Sequence, residues 1–466
     1  LSTGASTKTT TIVNTFGIAN VLTIGAGTLS IDANERYIYL YKTTGALSLD
    51  PTATVNVNLD FHTATELPAH TYNRGIFLTG NVTVNQSGDV IINGSLRLNT
   101  DSYAGRIATY NTNNFALTVL GDIQVGYSQT IADTNKTLNL GSSLVSVGGN
   151  FYQLGNFSAG TSSTVTFNAT TTGKTITSTG ASFYNLTFNG VGGGWTLQDT
   201  LAVSNNLTVT NGTLTTNNQA VNVTGNITLA GTISAGSSTI TLGGNWDSTG
   251  GTFTYNTSTV KMTGVSKTIT TVDNGNPWTS VFYNLTIDTG ATVSVATAGT
   301  TNGFSVSNIF TINGQLTMTG KTVTVPVSYA TSTLTIGPVG ILTGTGGNFF
   351  RFVQDGNTSL TNNGTISVST FTFVPITGSS TVEIPATSFG GNLEILLTGS
   401  ATANQTVVLG AGTLSVTGSL TVDSNAAGYA AILDNTVYNS AINCASLYIG
   451  SYTNTKYGQL KLGSGT

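Results

Sequence analysis

Two stretches of this chain carry the same four blocks in the same order, and that repetition constrains the fold more than any other feature. The first runs Gly148-Gly149-Asn150-Phe151, Thr164-Val165-Thr166-Phe167, Lys174-Thr175-Ile176-Thr177 and Phe183-Tyr184-Asn185-Leu186-Thr187. The second runs Gly243-Gly244-Asn245-Trp246, Thr259-Val260-Lys261-Met262, Lys267-Thr268-Ile269-Thr270 and Phe282-Tyr283-Asn284-Leu285-Thr286. The spacing is 95 residues from Gly148 to Gly243 and 99 from Asn185 to Asn284. A worn third copy runs from Thr381-Val382-Glu383-Ile384 to Phe389-Gly390-Gly391-Asn392-Leu393. Inside the long unit, Asn185-Leu186-Thr187, Asn206-Leu207-Thr208, Asn226-Ile227-Thr228 and Asn245-Trp246 recur about every 20 residues, the length of one coil of a solenoid.

Between the blocks the texture is period two, as in Leu207-Thr208-Val209-Thr210, Val221-Asn222-Val223-Thr224, Thr239-Ile240-Thr241-Leu242 and Thr333-Leu334-Thr335-Ile336. Alternation puts one set of side chains in a core and the other in water, and β-branched Thr, Val and Ile suit a pleated strand. Asn211-Gly212, Asn313-Gly314 and Asn363-Gly364 punctuate the strands where turns need positive φ. No run has the 3.6-residue period of an amphipathic helix. Only 7% of residues are charged, yet 38% are hydrophobic, so the chain can bury a core beneath a neutral hydroxyl and amide surface.

The expected fold is all-β: an elongated parallel β-solenoid or β-helix, with small β-sandwich or hairpin modules allowed between turns. The alternative is tandem β-sandwich domains of about a hundred residues each. The long period fits both; the 20-residue period favours the solenoid. The chain divides into an N-terminal β-repeat region, residues 1–140, β-repeat units at 141–236 and 237–378, and a C-terminal β-repeat region, 379–466. Gly25-Ala26-Gly27-Thr28-Leu29-Ser30 returns as Gly410-Ala411-Gly412-Thr413-Leu414-Ser415, and Lys461-Leu462-Gly463-Ser464 is similar to Asn139-Leu140-Gly141-Ser142. The last region is therefore expected to be truncated, with the natural polypeptide continuing beyond Thr466. Leu1 at the start is read as a processed or excised N-terminus.

The Gly-Gly-Asn-aromatic and Phe-Tyr-Asn-Leu-Thr blocks, set among Thr-x-Thr strands over most of residues 140–420, resemble the β-strand-repeat cell-surface proteins of bacteria and archaea. Those are the repetitive parts of adhesins, surface-layer proteins and extracellular filament subunits. The resemblance implies a secreted, cell-surface, often glycosylated chain with no catalytic residues to carry over. Stacked coils form a stiff rod with open strand edges, and open edges recruit further strands. The expected function is thus a structural subunit of an extracellular filament, sheath or surface layer, with itself as main partner. An adhesin stalk binding glycans or other cell-surface proteins is the alternative, and a polysaccharide-degrading β-helix enzyme a minor one.

Charge sets limits on partners. A net charge of −4 with 14 Lys+Arg gives no basic face for nucleic acid, and no run approaches the roughly 18 apolar residues of a membrane helix. No cofactor is expected. The sharpest polar cluster, Asp60, His62, Glu66 and His70, holds both histidines and has the donor types of a zinc site; a solvated polar loop around Pro68 is the commoner reading of such a segment. The acids Asp32, Asp89, Asp122, Asp199, Asp247 and Asp288 are scattered, with no adjacent pair for acid/base work, so no enzyme is expected. Calcium near Asp273 or Asp355 lacks the repeated Asp pattern of a calcium-binding β-roll. Cys444 is expected to be a buried thiol. Trp195, Trp246, Trp278 and Tyr184 are read as core or turn packing before sugar platforms. Thr-x-Thr arrays also suggest ice binding, but outward Thr is the ordinary choice on a strand. Glycosylation sequons include Asn81, Asn156, Asn185, Asn206, Asn211, Asn226, Asn256, Asn284, Asn357, Asn363 and Asn404. In so Asn- and Thr-rich a chain chance alone supplies about fifteen such triplets, and Asn185, Asn206, Asn226 and Asn284 are read first as turn or Asn-ladder positions.

Overall fold

The computed structural model describes residues 9–12, 16–18, 22–31, 37–40, 47–63, 65–98, 106–126, 134–272, 282–297, 302–325, 332–346, 349–354, 359–375, 382–398, 401–426, 428–450 and 457–462. It contains two compact units, Leu1–Ser234 and Ala235–Thr466. No helix occurs among the described residues, and the strands stack as parallel β-solenoid. Alternating β-branched residues make short strands, and Gly or Asn corners end them.

Through most of the first unit a strand pairs in parallel with the strand three places on. Around the long strands Asn185–Leu197 and Leu207–Thr215, which each run along two faces, the interval falls to two for some pairs. Val90–Ile92 stacks on Leu117–Val119, Leu96–Leu98 on Ile123–Val125, and Ala108–Asn111 on Lys136–Asn139. One turn therefore contributes one strand to each of three faces, called here first, second and third in that order. This pairing excludes the tandem-sandwich alternative for the described residues, because sandwich sheets are built from antiparallel strands.

The core is a set of stacked columns. On the first face, Val90, Leu117, Val145, Val165, Leu186, Leu207 and Ile227 lie in register, beside Ile92, Val119, Val147, Phe167, Phe188, Val209 and Leu229. None of these is more than 2% exposed. The Phe167 and Phe188 rings stack at 5.4 Å and 16°. The intervening residues form an outward column of Thr118, Ser146, Thr166, Thr187, Thr208 and Thr228, without a charge.

The second unit obeys the same rule. Thr239–Leu242, Thr259–Met262, Asn284–Ile287, Ile309–Ile312, Thr333–Ile336 and Ser359–Asn362 stack in turn. They bury Ile240, Val260, Leu285, Phe310 and Leu334 and present Thr241, Lys261, Thr286, Thr311, Thr335 and Thr361 outward. On another face Phe350 stacks on Phe371 at 5.3 Å and 19°.

The repeated blocks have repeated duties. Asn150 Oδ1 accepts the Thr175 N–H at 2.8 Å, and Asn245 Oδ1 accepts the Thr268 N–H at 3.0 Å. Asn185 Oδ1 accepts from Asn205 Nδ2 at 2.8 Å, and Asn284 Oδ1 from Asn308 Nδ2 at 2.9 Å. The aromatics Phe151, Trp246, Phe183 and Phe282 fill the interior, each at most 1% exposed. Gly149 is required where corners of successive turns touch: a Cβ there would lie 2.5 Å from the Gly121 carbonyl.

Trp195 and Trp246 are core residues, Tyr184 is half-buried, and Trp278 lies outside the described residues, as do Asp32, Asp273, Asp355, Gly463 and Ser464. Cys444 departs from expectation. It continues the column of buried Val416, but it is half-exposed, because no described strand stacks on the outer side of Ala441–Ile449.

Candidate functional site

The four metal candidates fall on three different faces. Asp60 ends up on the second face, within Asn58–Phe61, with His62 just beyond that strand; Glu66 is on the third, in Thr65–Leu67; His70 is on the first, in His70–Tyr72. Asp60 and His62 meet and the other two do not. Glu66 is exposed opposite Asn85. No group of three His, Cys, Asp or Glu side chains suited to a metal occurs among the described residues.

Asp60 points outward in register between Tyr39 and Phe77, yet it is only 3% exposed. Thr79 Oγ1 lies 2.7 and 2.9 Å from its two carboxylate oxygens and 3.1 Å from His62 Nε2. His62 Nε2 is 3.6 Å from Asp60 Oδ2, and the Tyr39 ring meets the imidazole edge-on at 5.3 Å. Thr79 Oγ1 donates to the Asp60 carboxylate and bridges it to the His62 imidazole. The network ties one turn to the next. Gly80 lets the following corner close over it, since a Cβ there would lie 2.5 Å from the His62 backbone.

His70 is half-buried, with Nε2 buried and unbonded. Burial pushes its pKa below the ordinary histidine value, opposed by a hydrogen bond to the Ala53 backbone. It borders a groove of about 480 Å³ with Pro51, Ala53, Thr71, Asp89 and Ile91. Asp89 Oδ1 is taken up by the Ala116 N–H at 2.9 Å.

The chemically richest column lies on the second face: Phe77, Arg97, Gln124, Tyr152 and Thr177 in consecutive turns, each outward and half-buried. The Arg97 guanidinium sits over the Phe77 ring, 6.0 Å from its centroid, and Tyr37 packs edge-on against that ring at 4.8 Å. Arg97 Nε is buried without a hydrogen-bond partner. Nothing in the local sequence marks this column, because its members are 20, 27, 28 and 25 residues apart.

Among the sequon asparagines, Asn81, Asn156, Asn226, Asn256, Asn363 and Asn404 are exposed, Asn185, Asn206, Asn211 and Asn284 are half-buried, and Asn357 lies outside the described residues. Several are tied into the ladder. Asn206 Oδ1 accepts the Asn226 N–H at 2.9 Å, Asn211 Nδ2 donates to Asn189 at 2.7 Å, and Asn404 Oδ1 accepts the Ala430 N–H at 2.7 Å.

These features define a β-solenoid repeat protein. No family model matches the chain, and no curated protein or solved structure is significantly similar to it.

Proposed function

We propose that the chain is a structural subunit of an extracellular filament, sheath or surface layer, assembled from copies of itself through its charge-poor β faces. The observation that carries this reading is the outer wall of the solenoid, with Thr118, Ser146, Thr166, Thr187, Thr208 and Thr228 in register on one face. Strands lie about 4.8 Å apart, so the wall offers hydroxyl donors and acceptors at fixed pitch. A second wall of the same pitch matches it without having to neutralise charge. Composition and the resemblance of the repeat blocks support the cell-surface setting.

Electron microscopy of the purified protein tests the proposal. Filaments or sheets should form, and should persist from low salt to about 0.5 M NaCl, because screening has few exposed charges to act on. Single particles at every concentration, or polymers that dissolve on adding salt, would count against it. Surface labelling of intact cells with an antibody tests the location separately.

A further inference from the structure

We propose that the second face of the N-terminal unit carries a binding site for carboxylate-bearing sugars, centred on the Arg97 guanidinium. This goes beyond assembly: it assigns the subunit a ligand of a different chemical class from itself.

Arg97 is a cation whose Nε is buried without a hydrogen-bond partner, shielded from any ligand, so recognition falls to the two terminal amines of the guanidinium. The rest of the side chain is half-exposed, so the guanidinium fork remains open to a ligand. Among the described residues no carboxylate pairs with it. Asp60, the nearest acid in the same column, is separated from Arg97 by Phe77 and is already bonded to Thr79. The Phe77 ring lies on one side of the guanidinium, an arrangement that favours a cation.

The neighbours on the other side identify the ligand class. Gln124 and then Tyr152 follow Arg97 in register. At about 4.8 Å per strand, Tyr152 lies about 10 Å along the column, the span of a sugar residue and its linkage. A planar carboxylate matches the guanidinium fork with two parallel hydrogen bonds. Gln124 Nε2 donates to the Gly126 carbonyl at 3.0 Å, which leaves Oε1 to accept from a ring hydroxyl, and Tyr152, whose hydroxyl accepts from Thr175 Oγ1 at 3.3 Å, offers its ring face. A single cation in a chain of net charge −4 suits a singly charged carboxylate. A phosphate or sulfate polymer calls for several cations, and the described column contains one.

Affinity electrophoresis through gels containing polygalacturonate, neutral dextran or dextran sulfate tests the proposal. The wild-type protein should be retarded by polygalacturonate and not by dextran. Arg97→Gln should weaken that retention by about tenfold or more, the worth of a charge-assisted pair, with circular dichroism and melting midpoint unchanged. Arg97→Lys should fall between the two, because it keeps the charge and loses the fork. A measurement on the wild type alone removes any dependence on folding of the variants: free galacturonate should release the protein where galactose at equal concentration does not. Absence of retention by polygalacturonate, equal retention of wild type and Arg97→Gln, or retention by dextran sulfate alone would each overturn the assignment. Electron microscopy of the same samples reads self-assembly independently, so failure of one proposal is distinguishable from failure of the other.

Discussion

Asn150 and Asn245 stand at equivalent places in the two best-preserved repeats and cap equivalent backbone N–H groups, those of Thr175 and Thr268. Replacing either by Ala leaves a half-buried donor and should cost about 1 kcal/mol or more in chemical denaturation, the Asn150 variant more because it also loses bonds to Thr175 Oγ1 and to Asp122. A loss from one variant alone would show that the blocks are alike in sequence without sharing a duty. Inside the first unit, Tyr110 donates to Gln86 Oε1 at 3.2 Å, and Gln86 Nε2 donates to the Gly88 and Ala116 carbonyls, both at 3.0 Å. Tyr110→Phe strips a buried acceptor of its donor and should cost about 1–3 kcal/mol. His70 gives a pH signature. Its folded pKa lies below the ordinary 6.5 because burial disfavours the charged form, so at mildly acidic pH the unfolded chain binds more protons. Its stabilising contribution is therefore present above about pH 6.5 and declines as pH falls toward the folded pKa. The melting midpoint of wild type minus that of His70→Gln should fall as pH drops from about 7.5 to about 5.5. A difference that rises on acidification would refute the assignment.

At the scale of the strand, alternation was legible from sequence and register was not. Leu207-Thr208-Val209 announces which side chains go inside, and the structure buries Leu207 and Val209. The repeat blocks also showed where corners fall, because a Gly-Gly-Asn corner and a following aromatic are a distinctive combination. Which residues become neighbours across turns depends on the length of every intervening corner, and those lengths vary. That is why Phe77, Arg97, Gln124 and Tyr152 went unnoticed as a group. Asp60, His62, Glu66 and His70 are the converse case. They are close in sequence, but a turn of three short strands needs only about 20 residues, so this segment crosses three faces and parts them. Facing has a simple test. Phe188→Ala should cost about 3–5 kcal/mol, whereas outward Thr187→Ala on the same strand should change stability by no more than about 0.5 kcal/mol. Similar losses from both would mean that the strand's facing is wrong.

Over the whole molecule, cohesion comes mostly from apolar columns and hydrogen bonds, and ion pairs are few among the described residues. The ion pairs Lys261–Asp288, at 2.9 Å, and Lys461–Asp434, at 3.7 Å, involve lysines at the surface, where such pairs contribute little. The melting midpoint should therefore shift by no more than about 3 °C between low salt and about 0.5 M NaCl. A larger fall would reveal an electrostatic contribution to the fold itself. The pairing of each strand with its counterpart in the next turn has a genetic corollary. A turn touches only the turn before and the turn after, and its Asn side chains bond the backbone of an adjacent turn. A DNA segment encoding whole turns can therefore be duplicated or deleted by unequal crossing-over, and the neighbours close up in register. Lineages carrying this gene are expected to differ by whole turns, with the breakpoints at Gly-Asn corners, more often than by single-residue insertions within strands.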